Sequence, residues 1–134
     1  VLCPLTVNLY YGCGAWGDSL VSDKLPRPVD SGTPVIRNLS LSNIRSKNTK
    51  LAAAFVYGLP EQYVENLSVR DFNVDMDESW TDAAPAEMAD GLPSMVRHGF
   101  WARNVRGLSL SGIHLRGTTG PWFDFDDTVE RKVE

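Results

Sequence analysis

The sequence predicts an all-β solenoid, a parallel β-helix of stacked coils, and three observations predict it. Nearly the same eleven residues occur three times. Residues 36–46 read IRNLSLSNIRS, residues 64–74 read VENLSVRDFNV and residues 105–115 read VRGLSLSGIHL. Internal repetition is the signature of stacked architectures, in which each unit buries its apolar face against the next. Within the copies Leu39 and Leu41, Leu67 and Val69, and Leu108 and Leu110 alternate with polar residues, the period of a half-buried strand. Other short apolar runs, at 52–57 (AAAFVY), 99–102 (GFWA) and 121–125 (PWFDF), hold similar places relative to the repeat. Each coil is therefore expected to carry more than one strand. Short strands with turn signals also suit a β-sandwich, but the shared Leu-Ser register favours the solenoid.

Taken in order, coils are expected near 5–30, 34–60, 63–74 and 100–128, with one loop insertion at 75–99. The copies start at 36, 64 and 105, offsets of 28 and 41. The first offset fits one coil and a loop. The second requires an insertion, and 75–91 has its composition: Asp75, Asp77, Glu78, Asp82, Glu87 and Asp90 with Pro85 and several alanines. A short helix is expected there around 83–89. Inside each copy the step from Leu41 to Ile44 and its equivalents is odd-numbered. It predicts a bend near Ser42-Asn43, Arg70-Asp71 and Ser111-Gly112, where Asn, Asp and Gly tolerate a left-handed backbone. Asn38 and Asn66 occupy equivalent places. Each opens an Asn-Leu-Ser glycosylation pattern, but strands about 4.8 Å apart let side-chain amides form a ladder, which is the simpler account. Gly107 takes the third place and should end the ladder.

The chain has 134 residues, 43% hydrophobic and 22% charged, enough for one domain with a core. No run approaches the ~20 apolar residues of a membrane-spanning helix. A formal charge of −4 argues against non-specific nucleic-acid binding. The sequence opens on an apolar stretch without an initiator Met, which suggests a fragment or processed form; localisation is not readable from it. Cys3 and Cys13 are expected as thiols rather than a disulfide framework. Two Cys and two separated His do not compose a metal site, so no metal or cofactor is expected.

Gly32-Thr33-Pro34-Val35-Ile36-Arg37-Asn38, then Ala52-Ala53, Gly58-Leu59-Pro60-Glu61 and Val64-Glu65-Asn66-Leu67 form a specific series. Together with the preceding Val7-Asn8-Leu9-Tyr10-Tyr11, it resembles the C-terminal half of polygalacturonase-like enzymes, glycoside hydrolase family 28, over roughly residues 5–128. The resemblance implies a right-handed fold and hydrolysis of pectic, galacturonic-acid-containing linkages with inversion, by one carboxylic acid and water-activating carboxylates. The family's catalytic segments (Asn-Thr-Asp, Asp-Asp, Gly-His-Gly and Arg-x-Lys) do not occur here in context. This chain is therefore expected to be the inactive C-terminal part of such an enzyme. The alternative is a non-catalytic β-helix for carbohydrate binding or assembly. The expected partners are a pectic oligo- or polysaccharide and either the missing N-terminal part or another copy of the chain, with no nucleic acid and no membrane.

The resemblance also implies that Tyr11, with Tyr10 beside it, contacts the sugar, since aromatic faces suit pyranose C–H surfaces. No catalytic residue is assigned. Asp124, Asp126 and Asp127 form the densest carboxylate cluster, with Phe123 and Phe125 on the opposite face by alternation; the simpler reading is an exposed polar edge. His98 is expected to anchor a loop and His114 to point outward. Arg97, Arg103, Arg106 and Arg116 could pair with a polyanion bidentately or balance neighbouring acids. Trp80, in the acidic insertion, is expected to be exposed. Trp16, Trp101 and Trp122 are expected to pack.

Overall fold

The computed structural model describes residues 1–11, 17–86 and 89–134. Its elements are β1 (Leu5–Asn8), a single helical turn α1 (Ser19–Ser22), β2 (Arg37–Thr49), β3 (Ala52–Tyr57), β4 (Val64–Met76), β5 (Ala84–Pro85), β6 (Ser94–Met95), β7 (His98–Arg116) and β8 (Phe123–Val133). The protein is all-β, built on one curled parallel sheet of order β1-β3-β7-β4-β2, with β8 also on β7. β5 and β6 form a separate two-residue antiparallel ladder.

The curl follows from how β7 is shared. Its first part pairs with β3, from Ala52↔His98 to Tyr57↔Arg103. Its second part pairs with β4, from Val64↔Val105 to Asp75↔Arg116. One bent strand thus does what β3 and β4 do together. β8 follows the same path on the other side of β7, from Phe100↔Phe123 to Leu110↔Val133. β1 lies on β3 and β2 on β4. The chain therefore passes along one path repeatedly, each pass hydrogen-bonded to the last. The sequence repeat is in register: Leu39, Leu67 and Leu108 align, as do Ser40, Ser68 and Ser109. The three apolar runs also align, at Ala54, Phe100 and Phe123.

The bends fall where the odd-numbered step predicts them. Asn43, Asp71 and Gly112 have φ of 59°, 52° and 61° and stand between aligned neighbours. A second row, Asn38, Asn66, Gly107 and Glu130, has φ of 57°, 53°, 73° and 54°. Left-handed backbone is costly for most residues and is eased by Asn, Asp and Gly. Asn66 Nδ2 donates to Asn38 Oδ1 at 2.9 Å, so the amide ladder exists. It ends at Gly107, which has no side-chain amide to continue it; an added Cβ there would lie 2.7 Å from Asn66 Oδ1 and displace that amide.

Between the bends, alternate side chains turn inward. Val64, Leu67, Val69, Phe72 and Val74 of β4 are fully buried with Phe100, Val105, Leu108 and Leu110 of β7. The outer passes are less complete. Ile36, Leu39, Leu41 and Ile44 on one side, and Phe123 and Phe125 on the other, are only partly buried, because each has a neighbouring pass on one side alone.

The chain leaves the sheet at more places than the single expected insertion. It does so between β1 and β2, between β3 and β4, and between β4 and β7. The first two excursions depart from one corner, where β7 spends the single residue Asn104 (φ 55°). The third begins later than expected, because β4 runs through Asp75 to Met76. In place of the helix expected at 83–89 stands the β5–β6 ladder, with Glu87 and Met88 outside the described residues. Tertiary contact explains this outcome: Ala86 and Met95 are buried against Phe55 and Trp101 on the outer side of β3 and β7. Trp80, expected to be exposed, is partly buried there. Its Nε1 donates to Asp82 O at 2.9 Å and Lys50 Nζ lies 3.9 Å from its ring centre.

Gly58 opens the excursion between β3 and β4, and a Cβ on it would meet Asn104 O at 2.2 Å. Gly58→Ala is expected to lower stability by about 3 kcal/mol in urea unfolding, as forced overpacking does. Gly120→Ala, with nothing within 4 Å of the added Cβ, is expected to stay within about 0.5 kcal/mol of the parent.

Candidate functional site

The outer side of β3, the start of β7 and the start of β8 gathers the chemistry-bearing side chains. Alternation dictates who faces out. Phe123 and Phe125 pack on the core, so Asp124 and Asp126 face the other way. In β7, Phe100 and Ala102 are core residues, while Trp101 joins the outer cluster with Phe55. Parallel register then brings Trp101 beside Asp124 and Arg103 beside Asp126.

Asp124 is the hub of this face. Arg103 Nη2 donates to its Oδ1 at 2.8 Å, and Arg103 Nη1 donates to the carbonyls of Ala102 and Asp124 at 2.9 and 3.0 Å. His98 Nε2 lies 2.9 Å from Asp124 Oδ2. Arg103 Nε also lies 3.9 Å from Asp126 Oδ2. Burial pushes the Asp124 carboxyl up, but the hydrogen bond and charge of Arg103, with those of His98, hold it below the ordinary carboxylate range. Both oxygens are committed and the group stays ionised. A general acid needs the opposite, a raised pKa and a free proton, so Asp124 serves to hold Arg103 and His98 in place.

Beside this network runs a line of rings. The Arg103 guanidinium lies 4.4 Å from the Trp101 ring centre. Trp101 stacks on Phe55 at 4.7 Å, with planes 8° apart, and meets Tyr57 edge-on at 5.1 Å. Tyr57 contacts Tyr10 at 4.6 Å, and Lys24 Nζ sits 3.7 Å from the Tyr10 ring centre. Burial lowers the Lys24 pKa, partly offset by Asp90 and Asp23. Burial likewise raises Tyr57, against Arg103. A recess of about 270 Å³ opens between Lys24, Tyr57, Trp101, Arg103, Asp126 and Asp127. It offers the partly buried Tyr57 ring, two cations and the exposed carboxylates of Asp126 and Asp127, a set suited to hydrogen-bonding a polar ligand, while the buried Trp101 forms its wall.

The two tyrosines are separated. Tyr11 is 48% exposed and bridges to Ala89. Tyr10 is 2% exposed, its ring enclosed by Tyr57 and Lys24, so it supports the wall of the recess and presents no face to a sugar in this arrangement. The four arginines disperse. Arg103 belongs to this site, Arg97 donates to Gly117 O, Arg106 lies over Tyr63 and Arg116 is paired with Asp75. His98 is tied to Asp124, and His114 is exposed. Trp101 packs as expected. Trp122 does not: it is 40% exposed, because it lies in the connection ahead of β8 rather than inside a strand. Cys3 is partly buried and its Sγ donates to Leu5 O at 3.2 Å. Cys13 and Trp16 lie outside the described residues. Among the described residues no group of three His, Cys, Asp or Glu is placed to hold a metal ion.

Lys24 and Tyr57 carry no motif and were not singled out by sequence. The pairing of Arg103 with Asp124 had one available signal, the alignment of GFWA with PWFDF. Comparison of the chain with family models, with curated proteins and with solved structures yields no match.

The Asp124 carboxyl is depressed in the folded state, so its contribution is present above the unfolded pKa of about 3.9 and is lost as pH falls through the lower folded value. Asp124→Asn is expected to cost about 1 kcal/mol at pH 7, discounted for partial exposure, and to flatten the acid limb of stability below about pH 4. Chemical unfolding across pH 2–7 checks both, against the ~3.9 reference. Tyr10 is pushed well above the ordinary phenol range, by burial first and then by Tyr57, Glu61 and Asp23. Its contribution is complete below about pH 10 and is lost as pH rises beyond that. Tyr10→Phe is expected to make unfolding less steeply dependent on pH in that alkaline range.

Proposed function

We propose that this chain is the C-terminal portion of a polygalacturonase-like glycoside hydrolase, a right-handed parallel β-helix that acts on pectic, galacturonic-acid-containing polysaccharide. The catalytic carboxylates lie outside this chain, which extends the solenoid and supplies one end of the substrate cleft. The observation that carries this reading is the family-like series from Gly32 to Leu67, several residues of which serve stacking between passes. Gly58 is wedged against Asn104 O, Asn38 heads the amide ladder, and Ala53 and Ala54 are fully buried beneath β7. The exposed Tyr11 ring supplies a stacking face for a uronic-acid chain, and the outer recess supplies the partly buried Tyr57 ring and Lys24.

A second reading, a non-catalytic carbohydrate-binding or assembly solenoid, is favoured by one observation: Asp124 is neutralised by Arg103 and His98. It shares the binding chemistry and differs only in the existence of catalytic coils.

The test is incubation of the purified chain with polygalacturonate, measuring reducing ends and binding together. Binding without hydrolysis is expected, weakened by Tyr11→Ala. Release of reducing sugar that Asp126→Asn abolishes would place the chemistry on this chain and sink the proposal. Failure to bind any galacturonan would remove the substrate class.

A further inference from the structure

After the second bend, each of the three longest strands ends in a short segment: 44–49 in β2, 72–76 in β4 and 113–116 in β7. Ile44, Phe72 and Ile113 align on the core side. The intervening residues face out in two rows across the passes. Arg45, Asn73 and His114 align in one. Asp75 and Arg116 align in the other, with Lys47 close enough to Asp75 to lower its pKa after the larger effect of the Arg116 hydrogen bond. On this face Asp75 offsets Arg116, Glu78 stands beside Gly117 where the third segment ends, and Arg45 and Lys47 are the remaining cations. Arg116 grips Asp75 through Nε at 2.6 Å and Nη2 at 3.0 Å. Arg45 and Lys47 are exposed. At the end of the rows stands Trp122, which with Asn73, Asp75, His114 and Arg116 encloses a recess of about 260 Å³.

This combination of an exposed indole, amide and imidazole hydrogen-bonding groups and the two exposed cations Arg45 and Lys47 matches a chain of carboxylated sugar rings. The rows run across strands about 4.8 Å apart, so a linear polymer lying along the solenoid meets successive outward side chains. Carboxylates meet Arg45 and Lys47, hydroxyls meet Asn73 and His114, and a ring face lies on Trp122. We propose that this face is a second binding surface for an acidic polysaccharide, distinct from the recess around Arg103. It shares only the substrate class with the function proposed above, and in that respect it rests on that reading.

The test measures affinity for polygalacturonate and for alginate at low salt, for the parent chain, Trp122→Ala, the double variant Arg45→Glu with Lys47→Glu, and Tyr11→Ala. Circular dichroism monitors the fold. Trp122→Ala is expected to weaken binding about tenfold, the scale of one aromatic contact. The charge reversal should weaken it further, and parent binding should fall as salt rises. If neither change affects binding while Tyr11→Ala does, the second surface is refuted and the proposed function stands. If alginate binds through Trp122 while polygalacturonate does not bind, the surface stands and the pectic reading falls. Single-stranded DNA bound through Arg45 and Lys47 as tightly as either polysaccharide refutes a sugar-selective surface.

Discussion

The alignment of left-handed corner residues is the constraint on which the rest of the protein depends. A parallel strand pair keeps its register only if both chains bend at the same place. Here Asn43, Asp71 and Gly112 bend together, as do Asn38, Asn66, Gly107 and Glu130. A corner displaced by one residue would turn every following side chain to the opposite face. Phe72 and Val74 would then be exposed and Asn73 buried. The corners therefore decide both the sheet and the core.

The same register composes the surfaces. Because the passes stack without slipping, an outward residue on one strand meets the outward residue of the next. Arg116 finds Asp75 in this way, and Arg103, opposite Asp126, reaches diagonally to Asp124. These pairs are far apart in sequence yet neighbours by construction. The excursions add what the passes lack. The segment between β1 and β2 carries Lys24 over Tyr10, and the segment between β4 and β7 covers Phe55 and Trp101 with Ala86 and Met95. One outer face thus becomes an aromatic wall closed by loops, while the face after the second bend stays open, with Arg45 and Lys47 exposed and Trp122 at its edge.

Electrostatics separates the roles of the acids. Asp124 is held ionised by two partners and has no proton to give. Asp126 and Asp127 border the recess and remain largely exposed. A carboxylate cluster that looks catalytic as a string of letters is, once folded, one structural hub and two surface acceptors. The cause is that alternation turns Asp124 outward and the register of β8 on β7 sets it diagonally within reach of Arg103.

The stacking, the bends at Asn43, Asp71 and Gly112, the amide ladder of Asn38 and Asn66, and the inward set of Leu and Val residues are legible in the order of the amino acids alone. Those features repeat locally, and period-two alternation with Asn or Gly at fixed offsets specifies them without distant information. The burial of Tyr10, the exposure of Trp122, the absence of a helix at 84–86 and the capture of Asp124 by Arg103 and His98 came from long-range packing. The first three depend on which non-repeated segment lands on which outward face, and the fourth on a diagonal contact between β7 and β8. A loop without periodicity carries no local signal of its destination, and a side chain's exposure is set by what comes to cover it.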